Sequence, residues 1–211
     1  MEAPMRQWSE QLAGGLDVMG IALDAARQRR LLDYLALLLK WNRAFNLTAI
    51  RDPAGMVSRQ LLDSLSILPL MRGARVLDVG TGPGLPGIPL AICLPDSHFT
   101  LLDSNGKKCR FVRQAIVELA LDNAEAVQER VEGYRPARRF DTITSRAFAA
   151  LPVMQRVTEH LLADGGCLLA MKGTLPLEEV TQVERAGFRV EARPLRVQGC
   201  YGERHALLLT R

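Results

Sequence analysis

Leucines at positions 31, 32, 35, 38 and 39 recur at the spacing of one helix face, with Arg27, Arg29, Arg30, Lys40 and Arg43 turned away from it. Asp24 stands where the helix cap belongs. The pattern reads as an apolar face packed on a core and a solvated basic face opposite. A further helix is announced by Asp52-Pro53, a cap followed by proline in the first turn, and carries Met56, Val57, Leu61, Leu65 and Leu68 inward until Pro69. Between the two helices Trp41-Asn42-Arg43-Ala44-Phe45-Asn46-Leu47-Thr48 crowds aromatic and amide side chains at a helix end. Beyond residue 75 the pattern changes to short apolar runs alternating with helical stretches, which is the signature of a mostly parallel sheet. Strands are expected at 75–79, 98–102, around 126–128, at 140–144 and at 167–171, with Asp164-Gly165-Gly166 as the turn into the fifth. Residues 187–191 and 205–210 supply two last strands, one antiparallel. The chain therefore reads as an α/β unit over residues 72–211 with a small helical N-terminal extension over 1–71.

The first strand runs into Asp78-Val79-Gly80-Thr81-Gly82-Pro83-Gly84-Leu85-Pro86-Gly87 and then into an apolar helix. A strand, a glycine turn and a helix in that order form a nucleotide-binding opening, with the ligand over the strand's carboxyl end. Read as Gly82-x-Gly84-x-x-Gly87 it fits a dinucleotide, whose pyrophosphate takes backbone N–H groups at the helix start. Pro83, Pro86 and Pro89 have no N–H to give. Read as Asp78-x-Gly80-x-Gly82-x-Gly84, it fits S-adenosylmethionine, a cofactor without phosphate whose sulfonium and ammonium suit a carboxylate at Asp78. Asp103, about twenty residues on, stands where a ribose-binding carboxylate belongs, although Asp103-Ser104-Asn105-Gly106 also reads as a helix cap.

Composition narrows the setting. At 211 residues and 48% hydrophobic, the chain can build one α/β core with an accessory element. There is no apolar run of membrane-spanning length and no signal-peptide core, so a cytoplasmic protein without membrane contact is expected, by default a monomer. Cys93, Cys109, Cys167 and Cys200 lie far apart, which suggests neither a metal site nor a disulfide framework. The net charge of +4 suits a polyanionic partner and is also ordinary for an arginine-rich chain. Lys107, Lys108, Arg110 and Arg113 open a helix where positive charge is unfavourable, so they mark either a partner surface or a solvated face.

The loops at the sheet's carboxyl edge bring Gly80, Leu85, Asp103, Val131, Glu132, Arg146 and Lys172 toward one cleft. In that cleft Gly80 and its neighbours would meet the methionine part, Asp103 the ribose, and residues 130–132 the adenine. Amine methylation motifs of the Asn/Asp-Pro-Pro-Tyr/Phe type are missing after the fourth strand, where Ser145-Arg146-Ala147-Phe148 stands. Cys167 starts its strand far from the carboxyl end, so ring-carbon methylation through a cysteine is disfavoured. By exclusion the acceptor is already nucleophilic, as guanine N7 is, and catalysis is mostly positioning, with Arg146 orienting cofactor or phosphate and Phe148 stacking on a base.

Val76 to Leu90 closely resembles the first motif of the RsmG (GidB) family of bacterial small-subunit ribosomal RNA methyltransferases. The likeness continues through Trp41-Asn42, Asn46-Leu47-Thr48, Leu62-Asp63-Ser64, Leu101-Leu102-Asp103-Ser104, Lys107-Lys108, Val127-Gln128-x-Arg130-Val131-Glu132, Ser145-Arg146-Ala147-Phe148 and Met171-Lys172-Gly173. It implies a Rossmann-like class I methyltransferase fold with a seven-stranded sheet. It also implies S-adenosylmethionine as methyl donor and N7 of one guanosine in the decoding-region loop of 16S rRNA as acceptor, on the small ribosomal subunit. By motif position it implies cofactor contacts at Gly80, Leu85, Val131, Glu132 and Arg146, with Asp103 at the ribose and Asp78, Gly82 and Gly84 in the same motif. Lys107, Lys108, Arg110, Phe148 and Lys172 are the expected RNA contacts. Gln60 stands where the family commonly has histidine; it can hydrogen-bond but cannot become cationic. Rival readings are a small-molecule methyltransferase of the same fold, a nicotinamide-dependent oxidoreductase, and a non-catalytic RNA-binding assembly factor.

Overall fold

Strands buried on both faces need apolar side chains at successive positions, and β1 (Arg75–Val79) supplies them. Leu77 and Val79 enter one apolar cluster while Val76 enters the other, so Asp78 points to the Val76 side. In the computed structural model, which describes residues 2–50 and 52–211, seven strands form one sheet in the order β3-β2-β1-β4-β5-β7-β6. The others are β2 (His98–Asp103), β3 (Ala124–Gln128), β4 (Phe140–Arg146), β5 (Leu162–Lys172), β6 (Arg189–Pro194) and β7 (His205–Thr210). Only β7 runs antiparallel to its neighbours. The expected turn at Asp164-Gly165-Gly166 lies inside β5, as an irregularity: Leu162 faces Phe140 and Cys167 faces Thr142, and Gly165 takes a positive φ of 72°. The extra residues loop out there and let the strand resume.

One face of the sheet carries α5 (Gly87–Cys93) and α6 (Gly106–Glu118) together with the N-terminal helices α1 (Glu2–Met19) and α2 (Ala25–Phe45). The other face carries α7 (Leu151–Thr158) and α8 (Leu177–Arg185). A single apolar cluster runs from Trp8 and Leu12 through Leu35 and Leu61 to Ile88, Phe111 and Leu208. Asp24 caps α2 as expected, accepting from Arg27 N at 2.7 Å. The buried face of α2 differs in detail: Tyr34 and Leu37 are inside and Leu39 is only half-buried. Arg30 is not a solvated cation; its guanidinium donates to the carbonyls of Leu119, at 2.5 Å, and Ala120, at 2.8 Å, where α6 ends.

After the Asp52 cap, α3 (Pro53–Met56) passes into a π-helical turn, Val57–Leu62, before α4 (Asp63–Leu65). The wider turn shifts the register of the face, so Ile67 is buried and Leu68 half-buried instead of fully inward. Among the described residues no helix is long and apolar enough to cross a membrane.

Candidate functional site

The N–H groups of the loop after β1 are taken up by acceptors in the loop itself and on β1 and β2. Gly80 N and Thr81 N donate to Leu102 O at 2.9 and 3.1 Å, Gly84 N and Leu85 N to Thr81 O, and Ile88 N to Gly84 O. Gly82 N reaches Asp103 Oδ2, and Gly87 N reaches Asp78 Oδ2, both at 2.9 Å. With the prolines lacking N–H groups, each of these loop donors is already committed, and an anion would have to compete for them.

Beside the loop lies a cleft of about 330 Å³ at the carboxyl ends of β1 to β4. Gly80, Asp103, Val131, Glu132 and Phe148 line it, together with Lys108. Glu129 and Arg130 add one charge of each sign. In a chain of net charge +4, the cleft thus gathers three carboxylates against two cations. Asp103 is buried; its Oδ1 accepts from Asn105 N at 2.8 Å, and Lys108 Nζ stands 3.9 Å from Oδ2. The helix cap competing with its ligand role falls to Asn105, whose Oδ1 accepts from Lys107 N and Lys108 N.

The expectation of one shared cleft holds for Gly80, Asp103, Val131 and Glu132, while Leu85, Arg146 and Lys172 stand off its wall. Leu85 is 2% exposed, within the cluster shared with the N-terminal helices. Gly82 and Gly84 are buried. Lys172 Nζ donates to Ala149 O at 2.9 Å and pairs with Glu179 at 3.2 Å. Phe148 is half-buried against the second cluster, and its ring occupies the space where a Cβ on Gly80 would lie. Lys107 and Arg110 are exposed.

Asp78 is fully buried and off the wall, because the strand's alternation turns it away from the Val79 side that faces the cleft. Its Oδ2 braces the loop, accepting from Thr81 Oγ1 at 2.6 Å and from Gly87 N, while Oδ1 has no hydrogen-bond partner. Burial pushes its carboxyl from 3.8 up to about 6, against the lowering effect of the Thr81 and Gly87 bonds. A carboxyl raised in the folded state gives stability that is complete below about pH 4 and lost as pH rises through 6. Asp78→Asn removes this dependence. Relative to that variant, the wild-type unfolding free energy should fall by about 3 kcal/mol between about pH 4 and 7 in denaturant titrations. Parallel curves for the two proteins would contradict the assignment.

Arg146 ends β4 and turns back to the N-terminal helices. Nη1 donates to Arg59 O and Asp63 Oδ2, both at 3.0 Å, and Nη2 to Gln60 Oε1 at 2.8 Å. Asp63 also faces Arg204 Nε at 3.4 Å, an ion pair without hydrogen-bond alignment. Gln60, 1% exposed, donates from Nε2 to Thr48 Oγ1 at 3.0 Å, and Asn42 Oδ1 accepts from Thr48 N at 2.9 Å. One polar network thus joins α2, the π-helical turn and β4. In the sequence Asn42, Thr48, Asp63 and Arg146 stand in separate motifs and Arg204 in none, so their meeting is visible only in the fold. The next residue, Ala147, sits at φ 54°, a strained setting for a residue with a Cβ.

Burial raises the thiol pKa of Cys93, to about 12, and those of Cys109, Cys167 and Cys200 as well, so none is poised as a thiolate. Among the described residues no group of three or more His, Cys, Asp or Glu side chains is placed to hold a metal ion.

A family model described as rRNA small subunit methyltransferase G matches residues 27–208. Ribosomal RNA small subunit methyltransferase G of Pseudomonas aeruginosa (strain LESB58) is 54% identical over 213 residues, covering 100% of this chain and 99% of that protein. The Marinobacter nauticus protein of the same name is 53% identical over 206 residues, covering 97% and 96%. Among solved structures, a putative O-methyltransferase from Klebsiella pneumoniae superposes with a TM-score of 0.62 at 17% identity, over 98% of this chain and 99% of that one. The glycopeptide N-methyltransferase MtfA complexed with S-adenosyl-L-methionine gives 0.60 at 13% identity, over 72% and 95%. At such identities the likeness establishes a shared fold, the Rossmann-like class I methyltransferase sheet.

Proposed function

The chain belongs to the rRNA small subunit methyltransferase G family, and from that premise we propose that it methylates N7 of one guanosine in the decoding-region loop of 16S ribosomal RNA, with S-adenosylmethionine as donor. The observation that carries the choice of donor is the saturated glycine loop. Its N–H groups are committed to internal acceptors, so it offers no ready cradle for a pyrophosphate, while the adjoining cleft has an excess of carboxylates for a cation. Both features disfavour the nicotinamide reading.

When bound, S-adenosylmethionine supplies an electrophilic methyl on a sulfonium. Gly80 gives the backbone a close approach, Asp103 offers its remaining lone pairs to ribose hydroxyls, and Val131 with Glu132 flanks the adenine. The acceptor nitrogen carries a free lone pair at neutral pH, so the chain need not remove a proton, and its work is alignment and exclusion of water. Arg146, through its bonds to Asp63 and Gln60, fixes the Ala147-Phe148 turn over the cleft. Exposed Lys107 and Arg110 are the proposed phosphate contacts; Lys108 and Phe148 belong to the cleft, and Lys172 is engaged by Glu179. The helices of residues 1–71 are proposed to fold with the 72–211 unit, through the shared apolar cluster.

The test is transfer of labelled methyl to small subunits that lack their N7 modification, followed by cleavage mapping at 7-methylguanosine. One labelled guanosine is expected, with RNA binding that falls steeply as salt rises. Cofactor binding without transfer to any ribosomal RNA would overturn the acceptor assignment.

A further inference from the structure

Pro83, at the tip of the glycine loop, has no N–H, and its carbonyl is reached from outside the sheet unit. The hydroxyl of Tyr34, on α2, donates to Pro83 O at 2.9 Å. The other anchors described for this loop, Leu102 O, Asp78 and Asp103, belong to the sheet itself. Tyr34 is fully buried, tilted against Phe111 of α6 with ring centroids 6.4 Å apart. Burial also pushes its hydroxyl above the ordinary phenol range, so it remains a donor throughout the working pH range. A buried phenol whose hydroxyl holds a loop otherwise anchored on β1 and β2 does more than fill space.

We propose that Tyr34 is a positioning residue for the methyl donor, setting from the N-terminal helical layer the conformation of the loop that meets the donor's methionine end. The inference rests on the donor-binding reading above. It makes the N-terminal helices part of the cofactor site, although none of their described side chains lines the cleft.

Tyr34→Phe removes the hydrogen bond and keeps the ring. The affinity for S-adenosylhomocysteine, measured by calorimetric titration of the full chain, should fall about three- to ten-fold, the size of one neutral hydrogen bond. Affinity for 5′-methylthioadenosine, which lacks the amino-acid end, should stay level. Phe111→Leu serves as the packing control: it should lower Tm and leave the S-adenosylhomocysteine affinity unchanged. Equal loss for both ligands, no loss in Tyr34→Phe, or the same loss in Phe111→Leu overturns the positioning role while leaving donor binding intact. Absence of S-adenosylhomocysteine binding by the wild-type chain overturns the donor reading and this inference with it.

Discussion

Arg146→Ala should lower kcat/KM for methyl transfer by about 100-fold or more, the scale at which misplacing a reacting group by about 1 Å is felt. The guanidinium carries three hydrogen bonds to the N-terminal layer, and its loss leaves Gln60 Oε1 without its donor and Asp63 with Arg204 alone. Breaking a buried pair from one side costs about 3–5 kcal/mol, the lower end fitting here because the Arg146 side chain is 21% exposed. The strained Ala147 follows directly, and with it the placement of Phe148 beside Gly80. Asp63→Asn keeps the shape and removes the charge, so it should give a smaller fall in both Tm and rate. The measurement is single-turnover methyl transfer at saturating donor, paired with thermal unfolding. A variant that loses Tm but retains full single-turnover rate would reduce Arg146 to a structural strut.

Gly80→Ala should lower the affinity for S-adenosylhomocysteine by more than about ten-fold, whereas Gly82→Ala should lower it by less. Both glycines have positive φ, 66° and 61°, so each substitution meets the left-handed backbone cost of about 1–2 kcal/mol. They differ in what a Cβ would meet. At Gly80 it lands on the Phe148 ring, 2.5 Å from Cδ2, and the ring must swing into or out of the cleft. At Gly82 the nearest group is Gly80 O at 3.9 Å, which is ordinary contact. Gly80→Ala combined with Phe148→Ala should therefore recover part of the affinity. Equal losses in the two single variants would mean that backbone strain alone accounts for the effect and that Phe148 does not shape the cleft.

Much of the frame was legible because its signals are local. The β1 and β2 boundaries, the glycine turn and the Asp24 and Asp52 caps follow from periodicity, propensity and turn chemistry within a few residues of each feature. The placement of Asp103 beside the loop follows from its position at the end of the neighbouring strand. What is not legible is a side chain whose partner is remote. The helical pattern puts Arg30 on the solvated face, yet it completes the end of α6 some ninety residues away. The sequence pattern places Asp78 in the glycine motif, and that its side chain is buried behind the loop shows only once the cleft is known to lie on the Val79 side.

The sequence by itself determined the order of strands and helices, the glycine loop with its scarcity of free donors, and the family to which the chain belongs. Tertiary structure decided which side chains face the cleft and which hold the loops from behind. The π-helical turn brings Gln60 and Asp63 to Arg146 across more than eighty residues of chain, and the packing of α2 brings Tyr34 to Pro83 across 49. Local propensity fixes each element's own periodicity. The rotation and register of one element against another come from the whole packed core, and side-chain partnerships between distant segments depend on that register.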